Sequence, residues 1–334
     1  MSLSLRLPAL GLLAAATTTL TAQTPDPGLA RLEAELGRIS RVAGGRVGVG
    51  IIHLESGREL FLAGDERFPM ASTFKVPIAL QLLDLVDRGR LRLDSMIALG
   101  PTDLHPGSGT LTRLLDDPGV ELSVRNLLEL MLLISDNSAT DILLRTVGGP
   151  SAVNARLAAV GVEGIRVDRP TVELIADAIG IKNLPPDSLR TMQRFRALVV
   201  AIADSNRRAA RDSLYRDPRD TATPRGMARL LAKLWRREAL SPSSTDLLID
   251  VMYRCQTGEN RLKGLLPRDT RVAHKTGTLD LGVANDVGII DLPGGAGHVV
   301  VAAFVKESSR PTAEQERAIA EVARAVHDYF LFAR

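Results

Sequence analysis

The sequence predicts an α/β domain built from both ends of the chain, with an all-helical domain inserted between them. Three observations support this fold class. Apolar residues alternate with other residues near position 50 and again beyond position 270, as in β-strands. Between these two regions the apolar residues recur mainly at helical spacing. An antiparallel sheet made from both termini, flanked by helices and interrupted by the inserted helical domain, accounts for this order.

The composition is that of an ordinary globular protein, with 45% hydrophobic and 24% charged residues in a chain of 334. This length is enough for about two domains and a large core. The 42 Lys and Arg residues nearly balance the 39 Asp and Glu residues, so the net charge of +3 does not indicate a nucleic-acid partner. A disordered chain, a collagen and a small disulfide-rich scaffold are excluded.

The first 22 residues have the pattern of a secretory signal peptide. An apolar run over residues 7–16 follows Arg6, and a Thr-rich stretch then leads to a small residue, Ala22. A membrane anchor is the alternative, but the run is short for the ~30 Å hydrocarbon layer of a bilayer. The prediction is therefore cleavage near Ala22 and an exported protein, periplasmic or secreted, with no membrane span in the mature chain.

The α/β domain is assigned to residues 23–64 and 264–334. The spacing of apolar residues predicts a first helix over 28–40 and a last amphipathic helix over 313–330. Alternation of apolar residues, bounded by turn signals, predicts the strands. The predicted strands cover residues 46–54, 59–62, 271–275, 284–291 and 298–306.

The all-helical domain is assigned to residues 65–263. A Gly- and Pro-rich loop is expected at 100–109, and Pro224 opens one helix at its first position. A further helix is predicted over 186–211, and the Arg- and Asp-rich residues 204–220 are expected to form a solvated helix face with ion pairs. The other predicted helices cover residues 74–86, 124–134, 139–147, 224–237 and 242–253.

Neither a disulfide nor a metal site is predicted. Cys255 is the only cysteine, and we expect it to be a small buried residue rather than a nucleophile. The five histidines are scattered without the spacing of metal ligands, which argues against a zinc enzyme. No cofactor is expected. The histidines are His53, His105, His274, His298 and His327.

Ser72-Thr73-Phe74-Lys75 lies where Pro69-Met70-Ala71 leads into a predicted helix. A serine at a helix start can simply cap the helix. Residues three apart also share one helical face, so the Lys75 amine can reach the Ser72 hydroxyl. A hydroxyl is a weak nucleophile that needs such a base, and a helix N-terminus offers free N–H groups to a developing oxyanion.

Two further polar segments stand in a fixed order behind Ser72 and Lys75. Ser135-Asp136-Asn137 follows a buried apolar run, and His274-Lys275-Thr276-Gly277-Thr278 ends a predicted strand. Each segment alone is typical of an ordinary turn. In this order and spacing, the three segments resemble the S-x-x-K, S-D-N and K-T-G signatures of class A β-lactamases and penicillin-binding proteins.

The resemblance extends from about residue 28 to 332, with one gap. It implies a β-lactamase/transpeptidase-like fold and a serine β-lactamase activity, and the Ser-Asp-Asn triplet favours class A over class D. Members of this family are usually monomers. Further segments that look like class A landmarks are Gly148-Gly149-Pro150, Arg166-Val167-Asp168-Arg169, residues 219–224 and residues 257–267.

The resemblance implies roles in the chemistry for four side chains and two backbone groups. Ser72 would attack the β-lactam carbonyl and form an acyl-enzyme, with Lys75 as a candidate base. Ser135 would relay a proton to the lactam nitrogen, helped by Lys275. The backbone N–H groups of Ser72 and Thr278 would form the oxyanion hole. An acyl transfer requires these three functions: a nucleophile, a proton path and donors to the oxyanion.

The same resemblance assigns the substrate-binding residues. Asn137 would hold the acylamide side chain of a β-lactam. Lys275, Thr276 and Thr278 would bind the substrate carboxylate, and Gly277 belongs to the same motif. The implied ligand is therefore a small molecule, and no macromolecular partner is expected.

The chain departs from the family in its omega loop, at about residues 166–220. In class A enzymes an Arg at the start of this loop pairs with an Asp at its end, here Arg169 and Asp220. A Glu two residues after the Arg activates the deacylating water, and an Asn follows four residues later. This chain has Thr171 and Ile175 at those positions, and neither can do the work of a carboxylate or an amide.

Glu173 and Asp177 repeat the same four-residue spacing two positions later. One prediction is that a shifted loop presents Glu173 as the base with Asp177 as its partner. The alternative is that Glu173 is a solvated loop residue. An insertion at about 176–218 lengthens the loop, which is thermodynamically tolerable because loop-closure entropy grows slowly with length. Asp204, Asp212 and Asp217 lie in it, and nothing in the sequence favours one of them.

Three other functions remain as alternatives. A penicillin-binding DD-peptidase or transpeptidase shares the three motifs but deacylates slowly, and the missing Glu favours it. A β-lactam sensor module would need a transmembrane segment or a signalling domain. An esterase of related fold would normally have a Tyr in place of Ser135.

Overall fold

The computed structural model describes residues 26–332. The predicted signal peptide, residues 1–22, lies outside this range. The helices are α1 (Pro27–Val42), α2 (Lys75–Asp87), α3 (Leu111–Leu114), α4 (Val124–Leu133), α5 (Asn137–Thr146), α6 (Gly149–Ala159), α7 (Thr171–Ile179), α8 (Met192–Val200), α9 (Asp204–Leu214), α10 (Pro224–Trp235), α11 (Pro242–Tyr253) and α12 (Thr312–Phe332). The strands are β1 (Arg46–His53), β2 (Glu59–Leu62), β3 (Phe68–Pro69), β4 (Met96–Ala98), β5 (Glu121–Ser123), β6 (Thr221–Ala222), β7 (Val272–Leu279), β8 (Val283–Leu292) and β9 (Gly297–Lys306).

Strands from both ends of the chain form one five-stranded antiparallel sheet, in the order β2-β1-β9-β8-β7. The first strands of the chain therefore pair with the last one, from Arg46 opposite Lys306 to His53 opposite Val299. Two short ribbons, β3 with β6 and β4 with β5, lie outside this sheet. The predicted fold class, a sheet from both termini combined with helices, is confirmed.

Helices cover both faces of the sheet. α1 and α12 pack together on one face, over a cluster that includes Leu36, Val301 and Val326. α10 packs on the other face, against β1 and β9. Gly50 of β1 allows this close approach, because a Cβ there would lie 2.4 Å from the carbonyl oxygen of Pro224.

α2 is the central helix of the helical region, and its residues 75–84 are all buried. It contacts α4, α5, α6 and α11. One apolar cluster continues from these helices to the inner face of the sheet, where it includes Val287 and Phe304. The cleft between helices and sheet is therefore bounded by closely packed elements.

Three sequence predictions about local structure are wrong. The helix predicted over 186–211 is a 3₁₀ turn at Asp187–Leu189 followed by α8 and α9. Thr191 begins α8, because its hydroxyl accepts a hydrogen bond from the backbone N–H of Arg194. The strand predicted to end at residue 275 continues to Leu279, because every residue from 272 to 279 pairs with β8.

The third correction concerns residues 171–179, which form helix α7 rather than an irregular loop. Its N-terminus is capped from another helix. The carboxylate of Asp141 on α5 accepts hydrogen bonds from the backbone N–H groups of Thr171, at 2.6 Å, and Val172, at 3.0 Å. Sequence periodicity near residue 171 could not reveal this cap, since Asp141 is thirty residues away.

Within the part of the chain that the structure describes, no helix is long and apolar enough to cross a membrane.

Candidate active site

A cleft of about 450 Å³ lies between the helical region and β7. The structure brings residues of all three predicted motifs to it, although the motifs are separated by at least sixty positions in the chain. Two lysines of the motifs, Lys75 and Lys275, are fully buried beside it. The predicted site residues that line the cleft are Ser72, Ser135, Asn137, Thr276 and Thr278.

Ser72 lies in a 3₁₀ turn, Ala71–Phe74, that leads into α2. It does not cap a helix, because no side-chain cap hydrogen bond is made at this terminus. Ala71, just before it, has a left-handed backbone with φ of 46°, which is unfavourable for a residue with a Cβ. Strained backbone of this kind is concentrated at functional sites.

Neighbouring strands hold the Ser72 turn in place. The side-chain amide of Asn285 on β8 donates hydrogen bonds to the carbonyl oxygens of Pro69 and Met70, both at 2.9 Å. β7 approaches so closely that a Cβ on Gly277 would lie 2.5 Å from the Met70 oxygen and 3.0 Å from the Ser72 nitrogen. Gly277 is therefore required for this contact. Asn285 is a positioning residue that the sequence motifs did not reveal.

Lys75 is surrounded by acceptors from the second motif. Its Nζ donates to the backbone oxygen of Ser135 at 2.6 Å, to the Ser135 hydroxyl at 3.0 Å and to the Asn137 side-chain oxygen at 2.9 Å. Burial, together with the nearby charge of Lys275, lowers the pKa of Lys75 well below its ordinary value. The amine is thus prepared to exist in its neutral form and to accept a proton.

Lys275 reaches the same hydroxyl from the opposite side. Its Nζ donates to the Ser135 hydroxyl at 3.0 Å and to the backbone oxygen of Thr276 at 2.8 Å. Complete burial lowers the pKa of Lys275 to about 8. The Ser135 hydroxyl therefore lies between two amines, an arrangement in which it can pass a proton from one group to another.

The Ser135-Asp136-Asn137 segment is fixed by its own hydrogen bonds. Ser135 has a left-handed backbone with φ of 61°. The Asp136 carboxylate caps α5 and also accepts hydrogen bonds from the backbone N–H groups of Thr110, at 2.7 Å, and Leu111, at 3.0 Å. The Asn137 amide donates to the Pro106 oxygen at 2.8 Å. These bonds join the segment to the loop that forms one rim of the cleft.

Arg261 is a cleft residue for which the sequence analysis proposed no role. It is 4% exposed, and its guanidinium donates to the Gly277 oxygen at 3.0 Å and to the Thr278 hydroxyl at 2.6 Å. The guanidinium therefore places a second cation beside β7, close to the K-T-G motif. The segment 257–267, noted as a family landmark, contained the signal for it.

Thr257 links the same segment to β7, through a hydrogen bond of 2.6 Å between its hydroxyl and that of Thr276. Cys255 is buried next to it, with its thiol sulfur 3.3 Å from the Thr257 hydroxyl. The prediction that Cys255 is a buried residue is confirmed.

The predicted pair that closes the omega loop is present. The Arg169 guanidinium donates to the Asp220 carboxylate at 2.7 Å, and both side chains are buried. The same carboxylate accepts hydrogen bonds from the backbone N–H groups of Asp168 and Arg169. Arg169 also pairs with Asp177 and Asp217, so this arginine joins both ends of the inserted segment.

Replacing Arg169 with methionine is expected to lower the free energy of unfolding by about 3–5 kcal/mol, because Asp220 would be left buried without its counter-ion. Urea unfolding followed by circular dichroism measures the change. Arg219→Met is the matched control: Arg219 is 45% exposed and pairs with Asp177 and Asp217, so its loss should cost no more than about 1 kcal/mol. Equal costs for the two variants would contradict the buried-pair interpretation.

The structure does not bring Glu173 to the cleft, contrary to the prediction. Its carboxylate pairs with Arg190 at 3.0 Å, and the side chain is 36% exposed. Its expected partner Asp177 pairs instead with Arg169 and Arg219. The reason is helical geometry: Thr171 and Ile175 on α7 line the cleft, so Glu173, two residues from each, lies on a different face of the helix.

The insertion confirms one further expectation in part. α9 is largely exposed, with only Leu214 buried. The ion pairs expected over residues 204–220 are made by Asp217, Arg219 and Asp220 after the end of α9. Asp204 and Asp212 are exposed, and neither lines the cleft.

The environment at the expected base position is nearly dry. Thr171 is 3% exposed, and its hydroxyl has no hydrogen-bond partner among the described residues. Among the cleft-lining residues of the described chain, only Arg261 and Asp280 carry a charge at neutral pH. Asp280 lies at the exposed turn between β7 and β8.

Comparison with known proteins gives matches along nearly the whole chain. Residues 31–330 match the model of the beta-lactamase enzyme family. The chain is 29% identical over 307 residues to beta-lactamase VEB-1 from Pseudomonas aeruginosa, which covers 90% of each protein.

Solved structures give the same result. An ancestral class A beta-lactamase superposes with a TM-score of 0.73 at 34% identity, over 89% of this chain and 99% of that one. A beta-lactamase from Chitinophaga pinensis DSM 2588 superposes with a TM-score of 0.72 at 30% identity, over 89% of this chain and 98% of that one.

Proposed function

The chain belongs to the beta-lactamase enzyme family, and we propose that it is a serine β-lactamase that opens the β-lactam amide through an acyl-enzyme on Ser72. One observation carries this assignment to residues. The Ser135 hydroxyl lies 3.0 Å from the Nζ atoms of both Lys75 and Lys275, next to a cleft that Ser72 lines. Nucleophile, base and proton relay are therefore in reach of one bound substrate.

Acylation then follows from the protonation states. A neutral Lys75 accepts the hydroxyl proton of Ser72 as its oxygen bonds to the lactam carbonyl carbon. The lactam C–N bond breaks, and Ser135 delivers a proton to the leaving nitrogen, with replacement from the adjacent ammonium groups. The backbone N–H groups of Ser72 and Thr278 stabilise the carbonyl oxygen as it gains negative charge.

Substrate binding uses the cationic side of the cleft. The carboxylate of the β-lactam binds to Lys275, Thr276 and Thr278, and the Arg261 guanidinium adds positive charge behind the Thr278 hydroxyl. Gly277 keeps β7 close to the Ser72 turn. Asn137 binds the acylamide group.

Deacylation is the step for which this site differs from the family. The two positions that would hold and activate the hydrolytic water are Thr171 and Ile175. This observation favours a second candidate function, a penicillin-binding enzyme that is acylated quickly and deacylates slowly. The two functions share the acylation chemistry and differ only in the lifetime of the acyl-enzyme.

The deciding experiment combines stopped-flow turnover of a chromogenic cephalosporin with intact-mass detection of the acyl-enzyme. For a β-lactamase we expect many turnovers per molecule. A single stoichiometric burst with a long-lived mass adduct would instead identify a penicillin-binding enzyme. Absence of both turnover and adduct would contradict each function.

The alkaline limb of the pH–activity profile should report Lys275. Its ammonium is charged below a pKa of about 8 and neutral above it, so binding of the substrate carboxylate holds at lower pH and weakens as the pH rises through about 8. We expect kcat/KM for a penicillin to fall between about pH 7 and about pH 9. A β-lactam without an anionic group is the control and should show no such fall, and a flat profile for the penicillin would contradict the assignment.

Export and a monomeric state complete the proposal. The apolar segment over residues 7–16 followed by Ala22 supports export to the periplasm or the medium. Fractionation of cells that express the full chain, with N-terminal sequencing of the product, tests export. Size-exclusion chromatography with light scattering tests the monomer.

A further inference from the structure

One side of the cleft is apolar, and the lengthened omega loop builds most of it. We call this surface the apolar wall. Four of its residues lie on α7, and two lie at the turn between β7 and β8. The apolar wall consists of Leu174, Ile175, Ala178, Ile179, Leu279 and Leu281.

The apolar wall begins where Asn137 lies. A Cβ placed on Gly107 would lie 2.5 Å from the amide nitrogen of Asn137 and 3.3 Å from Cδ1 of Ile175. Both atoms are thus close neighbours of one point on the cleft rim. A substrate acylamide held by Asn137 therefore directs its substituent towards Ile175 and the rest of the wall.

The insertion holds the wall from behind. Val172 and Ala176 of α7 pack with Ile181 and with Phe195 of α8 in a small apolar cluster of their own. α7 also packs against α9, where a Cβ on Gly180 would lie 2.7 Å from the Asn206 oxygen. The wall is therefore supported by a packed layer, which limits how far it can move to admit water or a polar group.

A hydrogen bond joins the two parts of the wall. The hydroxyl of Tyr215, just after α9, donates to the backbone oxygen of Leu281 at the β7–β8 turn. The inserted segment thus reaches across the cleft to the sheet. This contact holds Leu279 and Leu281 opposite α7, so that the cleft has apolar surface on two sides.

We propose that the apolar wall is a specificity-determining subsite, which accepts β-lactams with an uncharged aryl or alkyl acylamino substituent and discriminates against those with a charged one. This inference rests on the proposed function. An aryl group placed there gains stabilisation from the apolar area it buries, in proportion to that area. A carboxylate in the same place would lose its hydration without a compensating partner, and Asp280 at the turn would repel it.

Benzylpenicillin and carbenicillin form a matched pair for the test, because they differ by one carboxylate on the benzyl carbon. The second-order rate constant of acylation is measured for each by stopped-flow and intact mass. We expect benzylpenicillin to acylate Ser72 faster by about 10- to 100-fold. Equal rates would overturn this inference alone, whereas acylation by neither compound would overturn the proposed function and this inference with it.

Variants locate the discrimination in the wall. Ile175→Asn combined with Ile179→Asn should bring the ratio of the two rate constants towards one. Ile202→Asn is the control: this half-buried residue belongs to the same inserted segment but does not line the cleft, so the ratio should stay as in the parent. An unchanged ratio in the double variant, with acylation intact, would overturn the proposal.

Tyr215→Phe provides a second test that keeps every wall side chain. Removal of the hydroxyl frees the β7–β8 turn from the insertion, and the ratio should fall several-fold. This variant retains the apolar ring, so it decides the question if the double variant does not fold. A ratio identical to that of the parent would show that the insertion does not shape the subsite.

Discussion

Ser72→Ala is expected to abolish covalent labelling by a penicillin and to lower β-lactam turnover by about 10³-fold or more. The hydroxyl oxygen of Ser72 is the atom that forms the ester, so no acyl-enzyme can form without it. Intact mass spectrometry after incubation with benzylpenicillin gives the direct readout, and a chromogenic cephalosporin gives the rate.

The control for this variant must separate lost chemistry from lost structure. Ser40→Ala removes a hydroxyl on α1 that bonds only within its own helix, to the Gly37 oxygen at 2.8 Å, and should label like the parent. The thermal midpoint of Ser72→Ala should also match that of the parent, because the hydroxyl caps no helix. A labelled Ser72→Ala protein would mean that another residue is the nucleophile.

Thr171→Glu is expected to accelerate hydrolysis of the penicilloyl-enzyme by about 10²-fold or more. The side chain lines the cleft that Ser72 also lines, and no carboxylate of α7 does so in the parent protein. A carboxylate at the N-terminus of a helix is favoured by the free N–H groups there. The carboxylate of Asp141, which caps the same terminus, would raise the pKa of the new group towards the range of an efficient general base.

The lifetime of the mass adduct measures this effect, with the acylation rate as the internal reference. Glu173→Gln is the matched control, since it removes an existing carboxylate from α7 that pairs with Arg190 outside the cleft. We expect its adduct lifetime to equal that of the parent. A slower deacylation in Glu173→Gln would restore Glu173 as the base, and an unchanged lifetime in Thr171→Glu would show that another group already activates water.

Together these variants separate the two steps of the reaction. The acylation machinery is held by short contacts around Ser135 and by the clamp of Asn285 and Gly277 on the Ser72 turn. The machinery that would deliver water is different from the family pattern, and the long insertion has replaced it with apolar surface. Acylation and deacylation are therefore expected to respond independently to substitution.

Much of this protein could be predicted from the sequence alone. Strand alternation at both ends, with helices between, determined the fold class, because the period of apolar residues reflects local backbone geometry. Motif order and spacing identified Ser72, Lys75, Ser135, Asn137 and Lys275–Thr278. The Arg169–Asp220 pair was also predicted, since the family pattern placed it at the two ends of one loop.

Only the tertiary structure decided which side chains face the cleft. Glu173 was chosen by spacing, but α7 turns it towards Arg190 and turns Thr171 and Ile175 towards Ser72. The helix itself depends on a cap from Asp141, which sequence spacing cannot link to residue 171. In the same way, Asn285 acts on a turn more than two hundred residues earlier. A short motif records which residues are near in sequence, whereas burial, capping and cation placement depend on residues that only the packed fold brings together.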